Sequence, residues 1–287
     1  MSSKVFRVGV KADYNKSNAF LQFMYKTPVG RVLLYPLTMP WASKVAALFL
    51  SSRLSRPMIN RYIKKYDIDM TYAKKHHFSS FNDFFTRELY KEARPFCTDE
   101  TKLCAPCDGK LSVYKIDSDS VFEIKGTPYT LKELLHSGKL AERFRGGWCF
   151  IYRLEPCNYH RYAYIDDGAK SDNYHIKGVL HTVQPIAINR CKVFKHNSRE
   201  FTFMRTKHFS EVVQIEVGAL CVGRISNLHG KSSFRRGEEK GMFEFGGSTI
   251  IQLFKADTVS PDHDILMNTE KDCETPVLMG EAVGYSI

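Results

Sequence analysis

The sequence predicts an α+β protein: a basic helical N-terminal region followed by a β-rich core of packed antiparallel sheets. Three observations carry this. Apolar residues in the first quarter recur at helical spacing, as in Met58, Ile59, Tyr62, Ile63 and Tyr66. From about Leu111 the apolar period changes to two. The chain shows neither a βαβ rhythm nor a phosphate-binding glycine loop, which argues against a parallel sheet. With 43% hydrophobic residues over 287 positions, the composition is that of a globular protein and excludes disorder, collagen and coiled coil.

The net charge of +11 is confined to one segment. Residues 1–66 hold twelve Lys and Arg against one acid, Asp13, while residues 67–287 are balanced. This divides the chain into a basic, amphipathic helical region, 1–66, and a second domain, 67–287. Ser55-Arg56-Pro57 reads as a helix start, with a capping serine and a proline in the first turn. The stripe from Met58 to Tyr66 follows, and Arg61, Lys64 and Lys65 fall off it. Such a helix either packs on its own domain with a solvated basic face or lies on an anionic bilayer, with Trp41 and Val45–Leu50 as the apolar contact. No recognised nucleic-acid motif accompanies the charge, so no nucleic-acid partner is expected. The most apolar run, Val32–Leu50, is interrupted by Pro36, Pro40 and Lys44 and falls short of the roughly 18 uncharged residues of a membrane span. A peripheral protein is therefore expected.

Ser80-Phe81-Asn82-Asp83 is a capping box, predicted to open a helix carrying Phe84, Phe85 and Leu89 and ending at Arg94-Pro95. Strands are expected around Leu111/Val113, Phe150/Tyr152/Leu154, Val213/Ile215/Val217 and Phe243/Phe245, with one helix around Leu131–Glu142. The eight cysteines follow no tight spacing, so a reducing compartment is expected. Cys104-Ala-Pro-Cys107 fits a redox pair or half a zinc site, but no second ligand pair completes a metal site, and none is expected. His160 lies in an aromatic stretch, where a lone histidine is ordinarily a satisfied core residue. Asp166-Asp167-Gly168 reads as a turn. Gly246-Gly247 within a strand pattern reads as a bulge or tight turn. It also permits strained backbone just before a hydroxyl, Ser248, whose oxygen can attack the preceding carbonyl if a base and oxyanion donors are present.

Several segments then occur in one order: Phe81-Asn-Asp-Phe-Phe-Thr-Arg87, Ala93-Arg-Pro95, Ala105-Pro-Cys-Asp-Gly109, Ile124-Lys-Gly126 with Tyr129, Tyr159-His-Arg161, Glu216-Val-Gly-Ala219 with Val222-Gly223, and Phe245-Gly-Gly-Ser-Thr249. Together they resemble the phosphatidylserine decarboxylase family, from about residue 45 to the end. The resemblance implies a self-cleaving proenzyme. Ser248 would attack the Gly247 carbonyl, giving a β chain to Gly247 and an α chain from Ser248, with Ser248 converted to a pyruvoyl group. That cofactor would decarboxylate phosphatidylserine to phosphatidylethanolamine through a Schiff base, as an electron sink. The resemblance further implies His160 as the acid that protonates the product carbanion. It implies Asp108 as the acid that orients a histidine able to deprotonate Ser248. It also implies cleaved chains that stay associated, a homodimer, and a peripheral position on the cytoplasmic face of the membrane.

One position departs from the family pattern His-Arg-aromatic-His. This chain reads His160-Arg161-Tyr162-Ala163, with alanine where the usual base stands. Three explanations remain open at this level: a substitution that traps the uncleaved proenzyme, a surrogate base such as His160 or a water held by Asp108, or an inactive relative. Two further readings also stand: a pyruvoyl-dependent decarboxylase of a soluble amino acid, and an uncleaved lipid-binding protein.

Overall fold

The computed structural model describes residues 6–11, 19–117, 119, 121–124, 127–184, 186–187, 192–219, 224–246 and 248–287. Prolines set the boundaries of the first helices. After a two-residue strand β1 (Val10–Lys11) come α1 (Ala19–Lys26), α2 (Pro28–Leu37), α3 (Pro40–Leu50) and α4 (Pro57–Tyr66). Each of the last three opens on a proline, whose missing N–H is not needed in a first turn. Thr27 caps α2 by accepting from the Gly30 N–H at 2.9 Å. No single described helix is long and apolar enough to cross a membrane; α2 and α3 together are, but they bend by 66° where they meet.

Helix α4 forms where the stripe predicts it, with Ile59 buried, Tyr62, Ile63 and Tyr66 half-buried, and Arg61, Lys64 and Lys65 exposed. Its cap is different. Ser55 donates to the Leu50 carbonyl and accepts the Phe81 N–H, both at 2.9 Å, so its hydroxyl joins the end of α3 to the next helix rather than capping α4. That helix, α5, covers only Phe81–Phe85. Ser80 caps it as expected, accepting from Asp83 N–H, but Asp83 returns its carboxylate to Ser79 N–H. The helix stops at Thr86, and Leu89 pairs with Ala73 as an extended bridge, so Leu89 is not helical. The expected helix around Leu131–Glu142 is two short ones, α6 (Leu131–Leu135) and α7 (Gly138–Glu142). His136 breaks them in the left-handed region at φ 51°, and Ser137 starts the second by accepting from Leu140 N–H.

The strands are β2 (Lys102–Cys104), β3 (Gly109–Lys115), β4 (Val121–Ile124), β5 (Thr127–Thr130), β6 (Trp148–Leu154), β7 (Arg161–Ala163), β8 (Gly168–Lys170), β9 (Tyr174–Ile176), β10 (Arg199–Thr206), β11 (Glu211–Val217), β12 (Ile225–Asn227), β13 (Ser232–Phe234), β14 (Glu239–Phe243), β15 (Ser248–Phe254), β16 (Val259–Pro261), β17 (Cys273–Val277) and β18 (Ala282–Ser286). Helices α8 (Val193–His196) and α9 (His263–Glu270) lie among the strands. One large antiparallel sheet runs β1-β17-β3-β6-β15-β11-β10-β8-β13, with β9 alongside β10. Small sheets β12-β14-β7, β16-β18-β2 and β4-β5 surround it. The α+β reading therefore holds. Strand β15 lies between β6 and β11 and is buried at every position, which explains its continuous apolar run Ile250-Ile251-Gln252-Leu253-Phe254. The core crosses residue 66. Met24, Tyr25 and Leu34 join the main cluster, and Leu50 and Ile59 pack with Phe81, Phe84 and Phe85.

A polar chain threads this core. Gln252 donates to Gln214, Gln214 to Glu216, and Lys240 to both Glu216 at 2.8 Å and Asn227 at 2.7 Å. Lys240 and Glu216 are fully buried. Removing one partner strands the other charge in a low-dielectric interior. Lys240→Met is therefore expected to destabilise the protein by about 3–5 kcal/mol in a urea titration. A change below about 1 kcal/mol would show that Glu216 is neutral without its partner.

Candidate active site

Ser248 opens β15 and is fully buried, opposite Leu154 of β6. Gly246, two residues earlier, has φ 138°, a conformation that side-chain-bearing residues rarely adopt, so glycine is required in the turn between β14 and β15. Gly247 lies outside the described residues. The turn is anchored on both sides: Phe243 N–H donates to the His160 carbonyl at 2.9 Å, and Phe245 N–H donates to Asn82 Oδ1 of α5 at 3.1 Å. The Ser248 hydroxyl is enclosed yet has no hydrogen-bond partner among the described residues. Leaving such a group unpaired costs about 1–3 kcal/mol, and costs of this kind concentrate at functional sites.

His160 comes just before β7. Asn158 folds back on itself, accepting the Glu155 N–H at 2.6 Å, and presents its carbonyl 2.9 Å from His160 Nδ1. A carbonyl only accepts, so Nδ1 carries the proton and Nε2 keeps its lone pair. Nε2 is buried with no hydrogen-bond partner among the described residues. The Gly246 backbone lies close enough to favour the charged ring slightly, without making that bond. Phe85 stacks on the imidazole at 4.1 Å. Burial above all, joined by Arg87 and opposed by Asp108 and backbone carbonyls, brings the His160 pKa down to about 3. The ring is thus neutral at ordinary pH, in the form that accepts a proton.

Asp108 sits between β2 and β3, 2% exposed. Gly109 follows because an added Cβ would lie 3.0 Å from the Arg153 carbonyl of β6. The carboxylate is held by Arg94, Nε to Oδ1 and Nη2 to Oδ2, both at 2.7 Å, and accepts from the Tyr159 and Met279 N–H groups. No imidazole hydrogen-bonds to Asp108 among the described residues; it meets His160 through the Tyr159 backbone. Although desolvation opposes its charge, Arg94 stays above its ordinary pKa through its bond to Asp108. Ala163 is buried in β7, its N–H bonded to the Pro106 carbonyl at 2.8 Å, so position 163 faces the loop that carries Asp108. The sequence placed Arg94 only as a helix end; its place within Ala93-Arg-Pro95 was the available signal.

Cys104 and Cys107 are buried, and burial raises both thiol pKa values. Neither sits in the electropositive, accessible setting that activates a redox thiol, although Arg236 does reach Cys104 Sγ at 3.0 Å.

A cavity of about 650 Å³ opens where β11 runs past Ser248: Val217 faces Thr249, so the lining residue Gly218 flanks Ser248. Lys44, Lys177 and Arg224 bring cations to it, and Glu200 and Asn227 bring polar groups. The Ser43 hydroxyl, on α3 at its wall, is buried without a partner. Of these cavity residues the sequence singled out Gly218, within Glu216-Val-Gly-Ala219, but gave no sign that Lys177, Glu200, Arg224 and Asn227 gather beside it, because they come from separate segments.

The phosphatidylserine decarboxylase family matches the chain over residues 81–285. The chain is 42% identical over 288 residues to phosphatidylserine decarboxylase proenzyme 2 of Clostridium acetobutylicum, covering 99% of each. It is 41% identical to a phosphatidylserine decarboxylase proenzyme of Clostridium perfringens, covering 93% of this chain and 92% of that one. A Clostridium novyi phosphatidylserine decarboxylase proenzyme is 40% identical, covering 93% of each. The chain belongs to the phosphatidylserine decarboxylase family.

Proposed function

We propose that this chain is a proenzyme that cleaves itself between Gly247 and Ser248 and then decarboxylates phosphatidylserine to phosphatidylethanolamine. The observation that carries the reading is two enclosed atoms without a hydrogen-bond partner among the described residues, the Ser248 hydroxyl oxygen and the His160 Nε2, on segments joined by the Phe243 N–H bond to the His160 carbonyl. In maturation, His160 takes the Ser248 proton as the oxygen bonds to the Gly247 carbonyl carbon. The Gly247–Ser248 C–N bond breaks, leaving an ester. Elimination frees the Gly247 carboxylate, and hydrolysis of the resulting dehydroalanine releases ammonia. Position 163 carries no base, so His160 serves here, with Asp108, Arg94 and the Tyr159 backbone as its positioning support.

An unpartnered, water-excluded hydroxyl at the strand start suits a residue that becomes a pyruvoyl group, which would supply the electron sink for loss of CO₂. In turnover His160 delivers a proton to the former Cα, as a protonated imidazole whose charge an arriving substrate carboxylate favours. The cavity flanked by Gly218 receives the headgroup, with Lys44, Lys177 and Arg224 facing its phosphate. Residues 1–66 form the membrane-docking region and 67–287 the catalytic domain. The exposed apolar residues Trp41, Val45, Leu48 and Phe49 of α3 face the bilayer, and the basic residues of this region favour an anionic leaflet.

The test pairs intact-mass spectrometry with CO₂ release. A fragment of residues 248–287 with a blocked N-terminus, and CO₂ from phosphatidylserine vesicles, is the expected result. A single uncleaved 33.0 kDa species without CO₂ release overturns it. Release from free serine but not from vesicles would make the substrate a soluble amino acid. Lys177→Ala and Arg224→Ala are each expected to raise KM for phosphatidylserine about fivefold, the equivalent of ~1 kcal/mol per cation near an anionic headgroup, and to leave cleavage unchanged. An unaltered KM would remove the cavity from substrate binding.

A further inference from the structure

Arg87 closes the Phe81–Arg87 segment and is 6% exposed, yet no carboxylate pairs with it among the described residues. Its Nε is enclosed with no hydrogen-bond partner among the described residues, and its guanidinium lies over the Phe84 ring at 5.2 Å. An arginine cannot shed its proton to escape such a setting, so an uncompensated buried guanidinium is costly. The residue lines a cavity of about 160 Å³ between the end of α4, the chain that follows α5 and the Tyr159 segment, together with Arg94, Tyr72 and Tyr159. Arg94 spends Nε and Nη2 on Asp108 and Nη1 on the Ala93 carbonyl, so it adds charge to the cavity but few free donors. Arg87 has the donors. Asp67 and Asp69 stand at the rim, exposed to solvent, and Asp69 already accepts from Thr71 N–H at 2.8 Å. They do not neutralise the buried guanidinium.

We propose that this cavity is a binding site for a small oxyanion of the phosphate class, held by the free donors of Arg87 in the field of Arg94. Its volume is roughly that of five waters, enough for an oxyanion and too small for an acyl chain. The planar fork of arginine matches phosphate geometry, and an anion there completes the charge that burial leaves unbalanced. Burial pulls the Arg87 pKa below its ordinary value, as expected for a guanidinium that lacks its counterion. The exposed Arg61, Lys64 and Lys65 of α4 draw anions toward this side of the molecule. The site is distinct from the larger cavity beside Gly218, with which it shares no lining residue.

Phosphate of this kind can be free in solution or part of a lipid headgroup. Calorimetric titration of the purified chain with inorganic phosphate, at constant ionic strength, is expected to show one saturable site that Arg87→Met weakens at least tenfold. Lys177→Ala and Arg224→Ala should retain it within about twofold. Arg87→Lys, which keeps the charge and loses the fork, should bind several-fold more weakly, and it serves if Arg87→Met does not fold. A second titration with dihexanoyl phosphatidylglycerol below its micellar concentration identifies the source: tighter binding than phosphate at the Arg87-dependent site means a headgroup, weaker binding means a free anion. Absence of saturable phosphate binding, or binding that survives in Arg87→Met and Arg87→Lys, overturns the proposal. The readout does not depend on cleavage or turnover, so its failure leaves the decarboxylase reading untouched.

Discussion

Ser248→Ala is expected to leave a single 33.0 kDa chain and to abolish decarboxylation altogether. Both effects come from one atom. Without the oxygen there is no nucleophile for the Gly247 carbonyl, and no precursor from which a pyruvoyl group can arise. The same oxygen is buried and unpaired in the folded protein, so removing it relieves a cost of about 1–3 kcal/mol. The variant should therefore be inactive and at least as stable as the parent, with Tm unchanged or raised. That combination separates loss of chemistry from misfolding. A variant that still yields a fragment of residues 248–287, seen by denaturing mass spectrometry, would remove Ser248 from the reaction.

His160→Phe is expected to cut turnover by about 10²–10⁴ and to slow cleavage, while keeping the ring that packs against Phe85. It should also change the dependence of stability on pH. In the unfolded chain the imidazole takes a proton at about 6.5; buried in the fold it does so only near 3. Between those values the unfolded state binds more protons, so stability falls as pH drops from about 6.5 toward 3, by up to about 1.4 kcal/mol per unit. Above pH 6.5 the ring is neutral in both states and contributes no slope. Phenylalanine titrates in neither state, so the variant should lose this component, measured as urea midpoints between pH 4 and 8. Turnover lost with cleavage at the parental rate would assign the maturation base to another group.

Much of the fold was legible because its signals are local. The apolar stripe of α4, the capping serine of α5 and the period-two runs of β3, β6 and β11 each depend on neighbours within a few residues. The errors have local causes too, but tertiary partners decided them. Ser55 had the composition of a cap and instead serves Phe81, twenty-six residues away. Leu89 continued a helical spacing but is drawn into pairing with Ala73. The split at His136 requires a left-handed residue that is not glycine, which no pattern announces. Strand order was not readable at all, since β15 pairs with β6 nearly a hundred positions earlier. At the site, family resemblance supplied Ser248, His160 and Asp108, whereas composition alone read His160 as a core residue. The bidentate grip of Arg94 on Asp108 and the bare guanidinium of Arg87 emerge only in three dimensions, because a sequence does not show which charges go unpaired.

The position of β15 also fixes the molecularity of unfolding. The proposed cleavage before Ser248 would sever the covalent thread, but the forty-residue product would keep a central strand held by two ladders, along with β16, α9, β17 and β18. Before maturation the protein unfolds as one body and can return by a first-order route. After it, unfolding sets two chains loose, and recovery becomes a second-order encounter whose midpoint depends on concentration. The large sheet and the β16-β18-β2 sheet would each be divided between the two fragments. Cleaved as proposed, the protein would be a heterodimer made from one chain, easily assembled once and hard to reassemble after it has come apart.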